Sequence, residues 1–312
     1  MPLFLGIDTS NYTTSVALYD SDNHKDYSAR KLLPVKTGEK GIRQSDAVFH
    51  HTQQLPDLVE EIKKYIDKPI TAVGVSAKPR PVEGSYMPCF TVGLGLARSL
   101  SALLNIPLYE FTHQHGHIVS ALYSANRLDL IGKKFISFHV SGGTTEALLV
   151  DEDFNIDLVA NTLDLNADQA VDRIGLLLGC TFPCGKELEK FALNFKGKVK
   201  PKPTLKGTNC CISGVENQCK KMIENNVSKE EIAFYCLKYI EETIYKMAIA
   251  LKDKYGDLPL VFAGGVMSNS IIRESMEKRL DCVFAKPEYS TDNAVGISCL
   301  AYRGWKDATG WT

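Results

Sequence analysis

The chain reads as an α/β protein built from two duplicated lobes, and three observations predict this. Its 312 residues exceed what one hydrophobic core fills, since single cores stop growing near roughly 250 residues. A stretch near the start recurs, without gaps, at residue 135. Between and after the two copies, strand-like apolar runs alternate with segments of helical periodicity, the pattern of an α/β class.

The repeat organises everything else. Phe4 to Asp20 is FLGIDTSNYTTSVALYD and Phe135 to Asp151 is FISFHVSGGTTEALLVD, identical at six of 17 positions, among them Ser10/Ser141 and Thr13/Thr144. Each copy is an apolar run, a short turn of small polar residues, then a second β-forming run, which predicts a β-hairpin. Ser10 in the first turn, and Ser141, Gly142, Gly143 and Thr144 in the second, offer hydroxyls and unobstructed backbone N–H groups, so each turn is suited to hold a phosphate.

Helical spacing is read over 53–66, 93–104, 167–178 and 232–251. Pro259 to Met276, PLVFAGGVMSNSIIRESM, reads as a buried strand, a double glycine and a helix. Gly264 and Gly265 allow backbone to approach a flat ligand, and Ser268 or Asn269 caps the helix. Close strand–helix packing explains a double glycine equally well; beside two matching hairpins, a nucleotide site is the better reading.

Thr112 to Tyr123, THQHGHIVSALY, follows the strand-like IPLYEF and enters a helix. There His113 and His117, four apart, project from one face and can share a metal ion, while His115 points elsewhere. Alone, such a pair serves as readily in hydrogen-bonded packing. Glutamate does not follow His113, so this is not the H-E-x-x-H of a zincin. Asp292, in EYSTDNAVGISCLAY, lies just inside a helix start behind the capping candidates Ser290 and Thr291. It either complements the helix dipole or completes a two-histidine, one-carboxylate set suited to Fe(II), Zn or Mn.

Composition narrows the partners. Lys+Arg 36 against Asp+Glu 37 gives a net charge of -1, so nothing draws the whole chain to nucleic acid or an anionic membrane. An RNA contact needs a local patch, and the best is Lys190 to Lys206: six lysines around Pro201 and Pro203, in a stretch that cannot be regular helix. A solvated loop is the plainer reading of it. Nine cysteines, no basic n-region and no long apolar run argue for reduced thiols in a cytoplasmic protein without a membrane span. Cys180 and Cys184 lack the second pair a zinc clip needs.

In order, LGIDTS, HQHGH, VSGGTTE, QAVDRIGLLLG, ISG at Ile212 to Gly214, FAGGVMSN and TDNAVGI resemble the TsaD family of tRNA threonylcarbamoyladenosine synthases, over nearly the whole chain. The resemblance implies an actin/Hsp70/sugar-kinase-like (ASKHA) fold with a nucleotide cleft between two lobes, here residues 1–131 with 293–312, and 132–292. It implies His113, His117 and Asp292 as ligands of one divalent metal, Fe(II) by family, and Asp172 as a ribose-binding acid. Gly185 falls beside the nucleotide and Asn269 at the adenosine. It further implies transfer of a threonylcarbamoyl group from threonylcarbamoyl-AMP to N6 of adenosine 37 in tRNA, with release of AMP. TsaB- or TsaE-type partner subunits or a homodimer are implied as well.

The family's acidic pair after its opening motif is here Asn11, Tyr12 and Thr13; Thr144 stands where histidine or asparagine is common. SAKPRPVEGSYMPCF, with Lys78, Arg80 and Glu83, replaces a glycine-rich segment, and RQSDAVFHH replaces YGGVVPE. The chain therefore reads as a divergent paralogue. Two other functions stand beside the first: a carbamoyl-type transferase with a small-molecule or protein acceptor, and a non-catalytic nucleotide-binding scaffold for the true synthase.

Overall fold

The computed structural model describes residues 2–10, 12–34, 42–141 and 143–310. The chain divides into two compact units, Met1–Leu128 with Thr291–Thr312, and Asp129–Ser290. The divisions fall at 128/129 and 290/291 rather than 131/132 and 292/293. Asp292, placed in the second lobe from sequence, therefore belongs to the first unit with the histidines.

The first unit opens with the expected hairpin, β1 (Leu3–Ser10) and β2 (Thr13–Asp20), whose register pairs Ser10 with Thr13 across a two-residue turn. β3 (Lys25–Leu32) extends it on one side; β4 (Ile70–Lys78) and β5 (Leu108–Thr112) add in parallel on the other, giving the order β3-β2-β1-β4-β5. Every residue of β1 and β2 is buried, as strands covered on both faces must be. Leu5, Ile7, Val16, Leu18, Val73 and Val75 pack against Leu55, Leu58 and Ile62 of α1 (Gln44–Lys63) and Ala97 of α2 (Phe90–Leu104). Burying each large side chain contributes roughly 1.5–3 kcal/mol. The first helix starts at Gln44, within RQSDAVFHH, instead of at Gln53, because His51 and Ala47 face inward one and two turns upstream of Leu55. α3 (His113–Ser124) and α9 (Val295–Thr309) complete this unit.

The second unit repeats the topology. β6 (Phe135–Ser141) and β7 (Thr144–Val150) form the second hairpin, with Ser141 opposite Thr144. β8 (Ile156–Asn161) flanks it, while β11 (Leu260–Ala263) and β12 (Cys282–Phe284) run parallel on the far side, in the order β12-β11-β6-β7-β8. The duplication read in the sequence is thus a duplication of sheets. Helices α4 (Ala167–Leu177), α5 (Gly185–Asn194), α6 (Gly214–Glu224), α7 (Lys229–Tyr255) and α8 (Ser270–Glu277) belong to this unit, with a small β9–β10 hairpin (Thr204–Lys206, Asn209–Cys211). Phe138, Val140, Ile174, Ile240, Met247 and Phe262 are fully or almost fully buried in its core. Lys190 lies on α5, so regular helix reaches further into the lysine-rich stretch than its composition suggests. All nine cysteines are free thiols. Among the described residues no helix is long and apolar enough to cross a membrane.

Candidate active site

The histidine helix is started by its own sequence. Thr112 caps α3: its Oγ1 accepts the N–H of His115 at 3.2 Å, and His115 Nδ1 accepts the N–H of Thr112 at 3.3 Å. This reciprocal cap satisfies two otherwise unpaired donors and turns the His115 ring back toward the cap. One helical turn apart, His113 and His117 face the same point, with Nε2 atoms 2.8 Å from each other.

The third candidate donor, Asp292, is held by a strut. Asn293 Nδ2 donates to the carbonyl of Thr291 at 2.7 Å, and Asn293 Oδ1 accepts from Ser120 Oγ of α3 at 2.8 Å and from the N–H of Val295 at 3.0 Å. Ser120 Oγ accepts in turn from the N–H of Gly296 at 2.9 Å. At that crossing the backbones nearly touch: a Cβ on Gly296 would collide with the carbonyl oxygen of Gly116. Glycine at the crossing lets the two helices approach this closely. The turn before α9 thereby holds Asp292 Oδ1 at 3.2 Å from His117 Nε2 and 3.5 Å from His113 Nε2. α9 itself begins at Val295, so neither Ser290 nor Thr291 caps it; Asn293 does that work on the Val295 N–H, and Asp292 sits ahead of the helix.

Behind the triad stands Asp8, 1% exposed. Its Oδ2 lies 2.7 Å from His113 Nδ1 and accepts from Ser76 Oγ at 2.9 Å, while Oδ1 accepts the N–H of Ser10 at 2.8 Å. Burial opposes charge on the His113 ring, but the adjacent Asp8 charge and hydrogen bonds to Asp292 and Asp8 outweigh it, raising the imidazole to about 10. Burial likewise raises both carboxyls, and the histidines outweigh it: Asp8 is lowered, and Asp292 is held well below the usual carboxylate range.

Two imidazole nitrogens and one carboxylate oxygen, mutually 2.8 to 3.5 Å apart, can all reach one ion at the roughly 2.1 Å typical of such bonds. An acid on the far nitrogen of a ligating histidine is the usual orienting partner. Ser10 Oγ adds a second sign of a ligand: it is buried with no hydrogen-bond partner among the described residues. The residues fit a divalent first-row metal, and this triad is the metal-ligating group found among the described residues.

The second unit gathers most of the remaining residues singled out in the sequence. Gly264, at φ 110°, presses on the β6 hairpin strand: a Cβ there would collide with the carbonyl of Val140 and lie 2.8 Å from Ser141 Cβ. Gly265 and Ser141 are therefore neighbours. Gly143 donates its N–H to Asp168 Oδ2 at 2.7 Å, and Asp168 Oδ1 is buried without a partner among the described residues. Thr144 is partly buried at the start of β7; Gly142 lies outside the described residues, as does Asn11. Asp172 Oδ1 accepts the N–H of Cys184 at 2.8 Å, immediately before Gly185 at the start of α5. Asn269 caps α8, accepting from the N–H groups of Ile271 and Ile272 at 3.1 and 3.2 Å. Its neighbour Ser270 is bound through N–H and Oγ by Glu189 of α5 at 2.7 and 2.5 Å, which brings Asn269 to the helix that carries Gly185.

Asp8, Ser76, Ser120, Asn293 and Asp168 were not singled out from sequence. Asp8 alone left a trace, as an acid inside an otherwise apolar strand. The others take their roles from contacts 25 to 173 residues away in sequence.

Known proteins place this arrangement. Solved structures with low sequence identity share the fold: HypF from T. kodakarensis (TM-score 0.63, 14% identity, 99% of this chain and 48% of that one) and a Clostridium difficile activator of 2-hydroxyisocaproyl-CoA dehydratase (0.55, 14%, 99% and 98%). A ROK family glucokinase from Streptomyces griseus (0.50, 11%, 97% and 100%) joins them, so the fold is of the ASKHA type. In sequence, the chain is 28% identical to the tRNA N6-adenosine threonylcarbamoyltransferase of Thermosipho africanus over 97% of its length and 94% of the relative's. It is 29% identical to that of Thermotoga neapolitana over 96% and 93%. The sequence model of TsaD, tRNA N6-adenosine threonylcarbamoyltransferase, matches residues 29–299, and with the two hairpins and the histidine helix in the places described, the chain belongs to the TsaD family.

Proposed function

We propose that this protein transfers the threonylcarbamoyl group of threonylcarbamoyl-AMP to N6 of adenosine 37 in tRNA, as its family and the names of its relatives indicate. The observation that carries the reading is the convergence of His113, His117 and Asp292, buttressed by Asp8. A protein that only bound a partner would have no chemical use for it.

In the reaction the carbamoyl carbon exchanges its bond to a phosphate oxygen of AMP for one to N6, and the amine loses a proton. A divalent metal, Fe(II) by family or Zn or Mn, would hold phosphate oxygens and offset the charge arriving on AMP. His113, His117 and Asp292 fix that position, and Asp8 keeps the His113 Nε2 face turned toward it. The Ser10 hydroxyl, buried and unpartnered, has hydrogen-bonding capacity for a substrate oxygen. For the nucleotide we assign Ser141, Gly142, Gly143 and Thr144 to phosphate, Asp172 to ribose, and Gly185, Gly264, Gly265 and Asn269 to the adenosine surroundings. Each hairpin turn keeps hydroxyl-bearing residues, fixed dipoles suited to a phosphate, and the transfer needs no protein nucleophile. The enzyme works in the cytoplasm, with TsaB- or TsaE-type partner subunits or as a homodimer.

The test supplies purified protein, partner subunits, threonylcarbamoyl-AMP and unmodified tRNA, then reads digested tRNA by mass spectrometry. Threonylcarbamoyladenosine is expected, and Asp292→Ala is expected to abolish it. Carbamoylation of a small molecule or protein instead would overturn the tRNA acceptor. Failure to bind the adenylate would leave a scaffold.

A further inference from the structure

Exposure along the lysine-rich segment after α5 follows a pattern. From residue 198 to 206, Lys198, Lys200, Lys202, Thr204 and Lys206 are exposed, while Val199, Pro201 and Leu205 are partly buried and Pro203 is buried. The sequence imposes this. Lys200 and Lys202 each precede a proline, which excludes the helical region and forces an extended backbone, so alternate side chains point to opposite sides. β9, Thr204–Lys206, continues the extension. The inner side is pinned: Pro203 is buried and its carbonyl accepts from Lys246 Nζ of α7 at 3.0 Å. From Lys198 to Lys202 the outer side is then a row of lysines at intervals of about 6–7 Å, with Lys196 at its head and Lys206 following beyond Thr204.

No acid occurs between Lys190 and Lys206, and no ion pair engages Lys196, Lys198, Lys200, Lys202 or Lys206 among the described residues. This is unusual for a chain with net charge -1, whose lysines and arginines are elsewhere often paired, as at Lys68, Arg173, Lys220 and Arg279. The row suits an extended polyanion that needs point charges and no base-specific fork. It does not suit a lipid surface, which also requires apolar side chains facing outward; here the apolar residues face in.

We propose that residues 196–206 are a docking strap for the phosphate backbone of RNA. The proposal rests on tRNA being the acceptor, and it names where this otherwise neutral protein gains its attraction for it. Binding at the strap is sequence-independent and falls with salt.

The test measures fluorescence anisotropy of unmodified tRNA and of a uridine oligomer across a salt series, with the full chain. The triple variant Lys198→Gln, Lys200→Gln, Lys202→Gln is expected to lose at least about tenfold in affinity at low salt and to flatten the slope of log K against log salt by about 2. The corresponding triple arginine variant should bind as the parent does. A control removing equal charge from exposed Lys221, Lys229 and Lys278 should also match the parent. Equal losses in the strap and control variants, or no RNA binding by the parent, would overturn the strap, as would parent binding to phosphatidylserine vesicles in place of RNA. A parent that modifies tRNA while its strap variant binds unchanged refutes the strap alone. A parent that binds RNA through the strap but forms no threonylcarbamoyladenosine refutes the proposed reaction alone.

Discussion

Asp8 Oδ2 and His113 Nδ1 lie 2.7 Å apart, joining the first strand of the chain to the first residue of the histidine helix. The contact fixes which nitrogen of His113 is turned to the metal position, because a carboxylate on Nδ1 leaves Nε2 as the ligand. Asp8→Asn keeps the volume and one acceptor but removes the charge. It is expected to weaken Co(II) or Zn(II) binding by about 10- to 100-fold in a chelator competition, with the protein still folded. An unchanged dissociation constant would reduce Asp8 to a packing residue.

His115 sits between the two ligands in sequence and outside the triad in space. Its ring accepts the Thr112 N–H in the helix cap, so His115→Ala should leave metal content at the parent level and cost about 1 kcal/mol of stability. Elemental analysis and thermal unfolding measure the two separately. Loss of metal with unchanged stability would contradict the assignment.

The raised His113 pKa predicts a pH dependence in metal-stripped protein. With a folded value of about 10 against roughly 6.5 unfolded, its stabilising contribution is complete below about pH 6.5 and is lost as pH rises through about 10. Asp8 and Asp292 act oppositely: their folded values are lowered, so their contribution is present above about pH 4 and lost as pH falls. Metal must displace the His113 proton to reach Nε2, so affinity should rise by close to tenfold per pH unit between about pH 7 and 9. Calorimetry in buffers of different ionisation heat reads the released proton. A flat profile with no proton release would show that His113 is neutral before metal binds.

What the sequence disclosed follows from which interactions are local. The hairpins were legible because alternation and turn residues are read within about twenty positions, and the gapless repeat carried that reading from one sheet to the other. His113 and His117 were legible because a helix fixes their spacing. Asp292 had two readings from its residues alone, helix-dipole complement or third donor, and only the family resemblance favoured the donor; the structure groups it with the first unit and not the second. Its place depends on Asn293 reaching Ser120 and on glycines at Gly116 and Gly296 letting two helices touch, none of which has a periodic signature. α1 was read from Gln53, through Pro56, and its first turns were missed because only Ala47 and His51 face inward there, a polar histidine and a small alanine that carry little apolar pattern. The lysines were visible as charge, while their outward alternation depended on Pro203 being buried and held by Lys246.

Asp172 poses the sharpest separation of structure from function, because its carboxylate already has a structural task. Oδ1 accepts the N–H of Cys184 and so holds the start of α5; Oδ2 makes no hydrogen bond among the described residues and is the atom available to a ribose hydroxyl. Asparagine at this position keeps the Oδ1 acceptor and replaces Oδ2 with a neutral donor. Asp172→Asn is therefore expected to unfold with the parent while binding ATP or AMP more weakly by about 1.5–3 kcal/mol, the range for a hydrogen bond to a charged group. Asp172→Ala should lose nucleotide affinity to a similar degree and also about 1–2 kcal/mol of stability, because the Cys184 N–H is left without its acceptor. Calorimetric titration and chemical denaturation on the two variants decide it: if asparagine binds nucleotide as the parent does and only alanine is impaired, Asp172 serves the α5 start alone and the ribose assignment falls.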